Sequence, residues 1–181
     1  MFISQQLKQK NIAEYLIYMW QVEDLIRAHG GDLERIKKNI VAAYPSLSDE
    51  QKTDLVQWYE DLIEMMRREE VMERGHLQIN KNVIIWLTDL HMQLLASPKF
   101  PYYSAAYYKA LPFIVELRAK GADKEEPELE TCLEALYGIL LLKLQKKEIG
   151  EETQKAQEAI TALLSMLSTY YIADKKGELE L

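Results

Sequence analysis

Apolar side chains recur every three or four positions along almost the whole chain. Ile12, Leu16, Met19 and Ile26 step by four, three and seven, which predicts a helix over about 5–29. Tyr15, Ile17, Tyr18, Trp20, Val22 and Leu25 widen that stripe nearly to the full circumference. A helix apolar on most sides is expected to be central, or covered by a partner chain. Gly30-Gly31 supplies its stop.

The same pattern carries on downstream. Asp32 caps a short helix bearing Leu33, Ile36 and Ile40, which closes before Pro45. Ser48 with Gln51 three residues later is a capping box for a helix with Leu55, Tyr59, Leu62 and Met66 on one face, ending near Gly75. Residues 77–96 place Ile79, Val83, Trp86, Leu90 and Leu94 in line. Residues 102–120 form the next helix, with Pro112 inside it as an expected kink and Gly121 as its stop. Pro127 opens a helix striped by Leu129, Leu133, Leu136, Leu140 and Leu144, broken at Gly150. The last helix, 151–173, steps through Ala156, Ile160, Leu163, Leu167 and Tyr170.

No stretch alternates with period two, and no Asn-Gly or Asp-Gly hairpin signal occurs. The connections at 97–101 and 121–126 are too short to separate domains. The expected fold is all-α: a single-domain antiparallel bundle over 1–181, of six long helices and one short one, with 174–181 a frayed tail.

Composition narrows the function classes. The 181 residues include only 7 Gly and 5 Pro, which suits long helices. Acidic residues outnumber basic ones by 29 to 22, a net charge of −7, which disfavours nucleic acid and anionic membrane as partners. The run 137–144 is far shorter than a membrane span of roughly 20 residues. The first twenty residues lack a basic segment before an apolar run, so no signal peptide is expected and the cytoplasm is the expected compartment. The single cysteine, Cys132, allows no intrachain disulfide and sits among leucines as a small hydrophobe.

Candidate chemistry is sparse. Four of the 11 tyrosines crowd into "KFPYYSAAYYKALPF" (99–113). Tyr103 and Tyr107 share a helix face, Tyr108 starts another, and Ala105-Ala106 lets a further helix approach closely. Core filling is the simpler reading; a ligand pocket beside Pro112 is the functional one. His91 lies mid-helix among leucines, His29 caps a helix end, and His76 follows Gly75 in a turn. No spacing requires the three histidines to share a metal, and Glu73-x-x-His76 occurs once where a di-iron bundle needs the motif twice. Glu23 aligns with Met19 and Ile26 and is expected to be partly buried; Arg27, four residues on, is its simplest partner. No phosphate-binding, dinucleotide-binding, zinc-protease, nucleophile-elbow or calcium-loop motif is present. No metal or cofactor is expected.

"NIAEYLIYMWQVEDLIRA" (11–28) and "FPYYSAAYYKALPFIVELRAK" (100–120) resemble a bacterial family of about this length catalogued only as a domain of unknown function. The resemblance extends over nearly the whole chain. It implies a cytoplasmic all-helical protein and carries no activity, substrate or catalytic residue. The leading expectation is a non-enzymatic interaction protein that self-associates as a dimer or meets another protein, since the first helix and 137–144 exceed one amphipathic face. The rival is a small-molecule binder or enzyme whose pocket gathers Tyr103, Tyr107, Glu23 and His91; the third reading is a metal-dependent hydrolase.

Overall fold

The computed structural model describes residues 1–120 and 127–181. Among these residues the chain is all-helical, with no strand: α1 (Phe2–Lys10), α2 (Ile12–Ala28), α3 (Leu33–Asn39), a 3-10 turn (Val41–Ala43), α4 (Asp49–Arg68), α5 (Gln78–Ala96), α6 (Pro101–Lys120), α7 (Glu128–Leu144) and α8 (Glu151–Lys175). The six long helices and the short α3 match the expectation. The expected stop at Gly121 and the loop 121–126 lie outside the described residues.

The expected single helix over 5–29 is divided at Asn11. The Asn11 carboxamide oxygen accepts from the amides of Ala13 and Glu14, both at 3.2 Å, while its nitrogen donates to Glu14 Oε1 at 2.9 Å. This is a local cap, which restarts the helix without interrupting the apolar stripe. Asp32 and Ser48 cap α3 and α4 as their positions require, Ser48 in a reciprocal capping box with Gln51.

Two helix ends fall earlier than the glycines suggest. α4 stops at Arg68, not Gly75, and α7 stops at Leu144, not Gly150. Glu70 and Lys146 take the left-handed conformation that closes them, at φ 58° and 57°. The amides of Val71 and Lys147 then reach back to the carbonyls of Met66 and Leu142 at 2.9 and 3.0 Å. This is the Schellman closure, made by residues that give no sequence signal for it. Gly150 instead precedes α8 as its N-cap.

The chain divides into two compact units. The first comprises 1–6 and 18–82, the second 7–17 and 83–181. In the first, α3, the 3-10 turn and α4 pack on one another. In the second, α6, α7 and α8 pack pairwise. Ile160, Leu163 and Leu167 of α8, Leu129, Cys132 and Leu133 of α7, and Tyr103, Ala110 and Ile114 of α6 are all buried. The helix α6 continues through Pro112, which is exposed.

On α5, Val83, Leu87, Leu90 and Leu94 are buried, as the apolar pattern predicts, but Ile79 and Trp86 are exposed and Asn80, Ile84 and His91 are buried with the leucines. Leu144, expected on the inner stripe of α7, is also exposed.

Candidate functional site

Three of the four residues singled out from the sequence come together in the second unit. Tyr103 and Tyr107 sit one turn apart on α6, and both rings meet His91 of α5 edge-on, at centroid distances of 5.7 and 5.0 Å. His91 Nδ1 lies 2.6 Å from the Tyr103 hydroxyl. Tyr107 donates to Glu128 Oε2 on α7 at 2.9 Å. Tyr170 of α8 packs edge-on against both Tyr103 and Phe100. Tyr170 comes from the expected stripe of α8 and Phe100 from three residues before Tyr103, whereas Glu128 joins the cluster by tertiary packing, which no local spacing signals.

Burial governs the electrostatics here. It lowers the proton affinity of His91, against a smaller opposing pull from Glu128. It raises the Tyr103 hydroxyl well above the ordinary tyrosine range. Tyr107 is pushed up to about 12, by burial first and then by its bond to Glu128. Burial also pushes the Cys132 thiol up to about 12, so it stays protonated and unreactive near neutral pH. His91 and Tyr103 are 3% and 0% exposed. Such a pair ties α5 to α6 and offers no face to a substrate.

Glu23, the fourth residue, takes its partners within the first unit. It is fully buried on α2. Its Oε1 accepts from the Leu77 amide at 3.1 Å and from Asn80 Nδ2 at 2.7 Å, and its Oε2 lies 2.6 Å from His76 Nδ1. The His76 ring stacks on Trp20 at 4.2 Å. Arg27, the partner expected for Glu23, is 3.9 Å away and is chiefly engaged elsewhere. It binds Asp24 at 2.8 Å and donates to the carbonyls of Val71 and Gly75. The carboxylate therefore pins the loop 69–77 and the start of α5 to α2, with its oxygens occupied by donors.

His29 Nδ1 sits 2.8 Å from the Leu25 carbonyl at the end of α2. Glu73 is exposed. Among the described residues, no group of three or more His, Cys, Asp or Glu side chains is placed to hold a metal ion. Nor, among them, is any helix long and apolar enough to cross a membrane.

A separate apolar cleft of about 290 Å³ opens among α6, α7 and α8. Phe113 and Leu117 face it from α6, Gly138 and Leu142 from α7, and Ala156 and Ile160 from α8. None of the four residues singled out from the sequence lines it.

The outer side of α6 is the other unusual surface. Pro101, Ala105, Tyr108, Pro112, Val115 and Ala119 are all exposed, and they follow one another at steps of four, three, four, three and four. Not one is charged.

The chain belongs to the family described as "Domain of unknown function (DUF4924)", whose sequence profile matches residues 1–178. No curated protein and no solved structure matches it.

Proposed function

We propose that this member of the DUF4924 family is a helical interaction protein that self-associates through the outer stripe of α6. The observation that carries this reading is the uncharged series from Pro101 to Ala119. Alternating steps of four and three are the spacing of a helix–helix seam, not of a solvated face. Tyr108 is 66% exposed and Val115 57% exposed, large apolar surfaces to leave against water.

The stripe is self-complementary. Laid antiparallel on a second copy, with the two-fold axis between Tyr108 and Pro112, it sets Pro101 against Ala119, Ala105 against Val115, and Tyr108 against Pro112. Each bulky side chain meets a small or flat one, as an isologous contact requires. The first helix, expected from its pattern to have apolar surface to spare, is less available. On α2, Ile12, Leu16, Met19, Trp20 and Ile26 are all buried within the chain.

Sedimentation velocity across the micromolar range tests the proposal. Each copy carries −7, so repulsion opposes an apolar seam, and added salt should strengthen the dimer rather than weaken it. Tyr108→Glu and Val115→Glu should each give monomer with unchanged helical content. Wild-type protein that stays monomeric to several hundred micromolar, at low and high salt alike, sinks the reading.

A further inference from the structure

The cleft among α6, α7 and α8 holds a feature that packing does not explain. Gly138 lies in the interior of α7, where glycine is costly relative to alanine. Its φ is not positive, so no turn requires it. A Cβ there would meet nothing within 4 Å, so no neighbouring helix requires it either. The absent side chain leaves room in the cleft, and Ala156 of α8 adds little to fill it. An apolar cavity of about 150 Å³ is enough to take up benzene. This cleft, at about 290 Å³, is about twice that size.

Its mouth has a charge preference. Glu116, Lys120 and Glu152 are among the residues lining the cleft. Lys120 is bonded to Glu116, and Glu152 also acts on it, holding the ammonium charged. Among the described residues lining the cleft, two carboxylates stand against one ammonium, so a second cation is favoured there over an anion.

We propose that this cleft binds a small amphiphile with an apolar tail and a protonated amine head, the tail between Phe113 and Gly138 and the head beside Glu152. The site is independent of the outer stripe of α6. Phe113, Glu116, Leu117 and Lys120 face the cleft, whereas Tyr108, Pro112 and Val115 form the stripe.

Calorimetric titration of the full chain with octylamine, octanol and octanoate at neutral pH tests it. Octylamine should bind saturably with one site per chain, about tenfold more tightly than octanoate. Glu152→Gln should weaken octylamine about two- to fivefold and leave octanol unchanged. Gly138→Leu should abolish binding of all three. Gly138→Ala guards against misfolding: it should raise Tm by about 2–4 °C, as expected for glycine replaced in an unstrained helix interior, and weaken binding. The proposal is overturned by any of three results: no saturable octylamine binding, octanoate binding as tightly as octylamine, or Gly138→Ala lowering Tm.

Discussion

His91 Nδ1 and the Tyr103 hydroxyl lie 2.6 Å apart with both side chains closed to solvent. Burial favours the neutral imidazole, so the folded state resists protonation more than the unfolded state does. Above the unfolded value near 6.5 both states hold His91 neutral and no penalty exists. Below it the unfolded chain takes up a proton that the folded chain does not, and stability falls as pH drops through and below about 6.5. Urea unfolding at pH 7.5, 6.5 and 5.5 should show this loss. His91→Leu should be less stable at pH 7.5 by about 1–3 kcal/mol, because the Tyr103 hydroxyl loses its partner, yet its stability should be flatter with pH. An identical pH slope in the variant would remove His91 from the account.

Glu23 makes the opposite demand on its surroundings, because it is a buried acceptor that needs every donor it has. Glu23→Gln turns one oxygen into a donor facing donors and should cost about 1–3 kcal/mol. Asn80→Asp is the harsher change. It sets a second carboxylate where Asn80 Nδ2 donates at 2.7 Å, and should cost about 3–5 kcal/mol at pH 8. Lowering the pH to 5 should return part of that loss, since a proton shared between the two carboxyls relieves their repulsion. Chemical denaturation of both variants at the two pH values measures this. Losses under about 0.5 kcal/mol would show that Glu23 is not held as described.

The helices were legible because burial repeats with the helical period. The inner face of α5 departs from its apolar pattern for a specific reason. Asn80 and His91 are polar, so the pattern of apolar residues passes over them in favour of Ile79 and Trp86. Asn80 Nδ2 and His91 Nδ1 find their partners in Glu23 and Tyr103, groups 57 and 12 residues away in sequence. No local window contains that information. The helix ends at Glu70 and Lys146 were hidden in the same way, since left-handed backbone is read from glycine and here non-glycine residues adopt it. The tyrosine–histidine cluster was half legible. Helical spacing put Tyr103 and Tyr107 on one face, but Glu23 belongs to another network. A pocket beside Pro112 was expected among the tyrosines; the cleft that Phe113 lines is instead marked by a missing side chain, Gly138, in a helix that otherwise reads as core.

Gly30 and Gly31 close α2 with φ of 66° and 65°, yet they should not tolerate alanine equally. At Gly30 an added Cβ meets nothing within 4 Å, so Gly30→Ala bears only the left-handed backbone cost, about 1–2 kcal/mol. At Gly31 the same Cβ would lie 2.7 Å from Met72 Cε, and the Gly31 carbonyl also accepts from Arg67 Nη2 at 3.0 Å. Gly31→Ala should therefore be the more destabilising of the two. The methionine end is flexible, so the excess is expected to be modest, about 1 kcal/mol. A double-mutant cycle separates the two contributions. Combining Gly31→Ala with Met72→Ala should remove the steric excess and leave the backbone cost alone. If Gly30→Ala and Gly31→Ala lower the unfolding midpoint equally, Met72 is not packed against the end of α2.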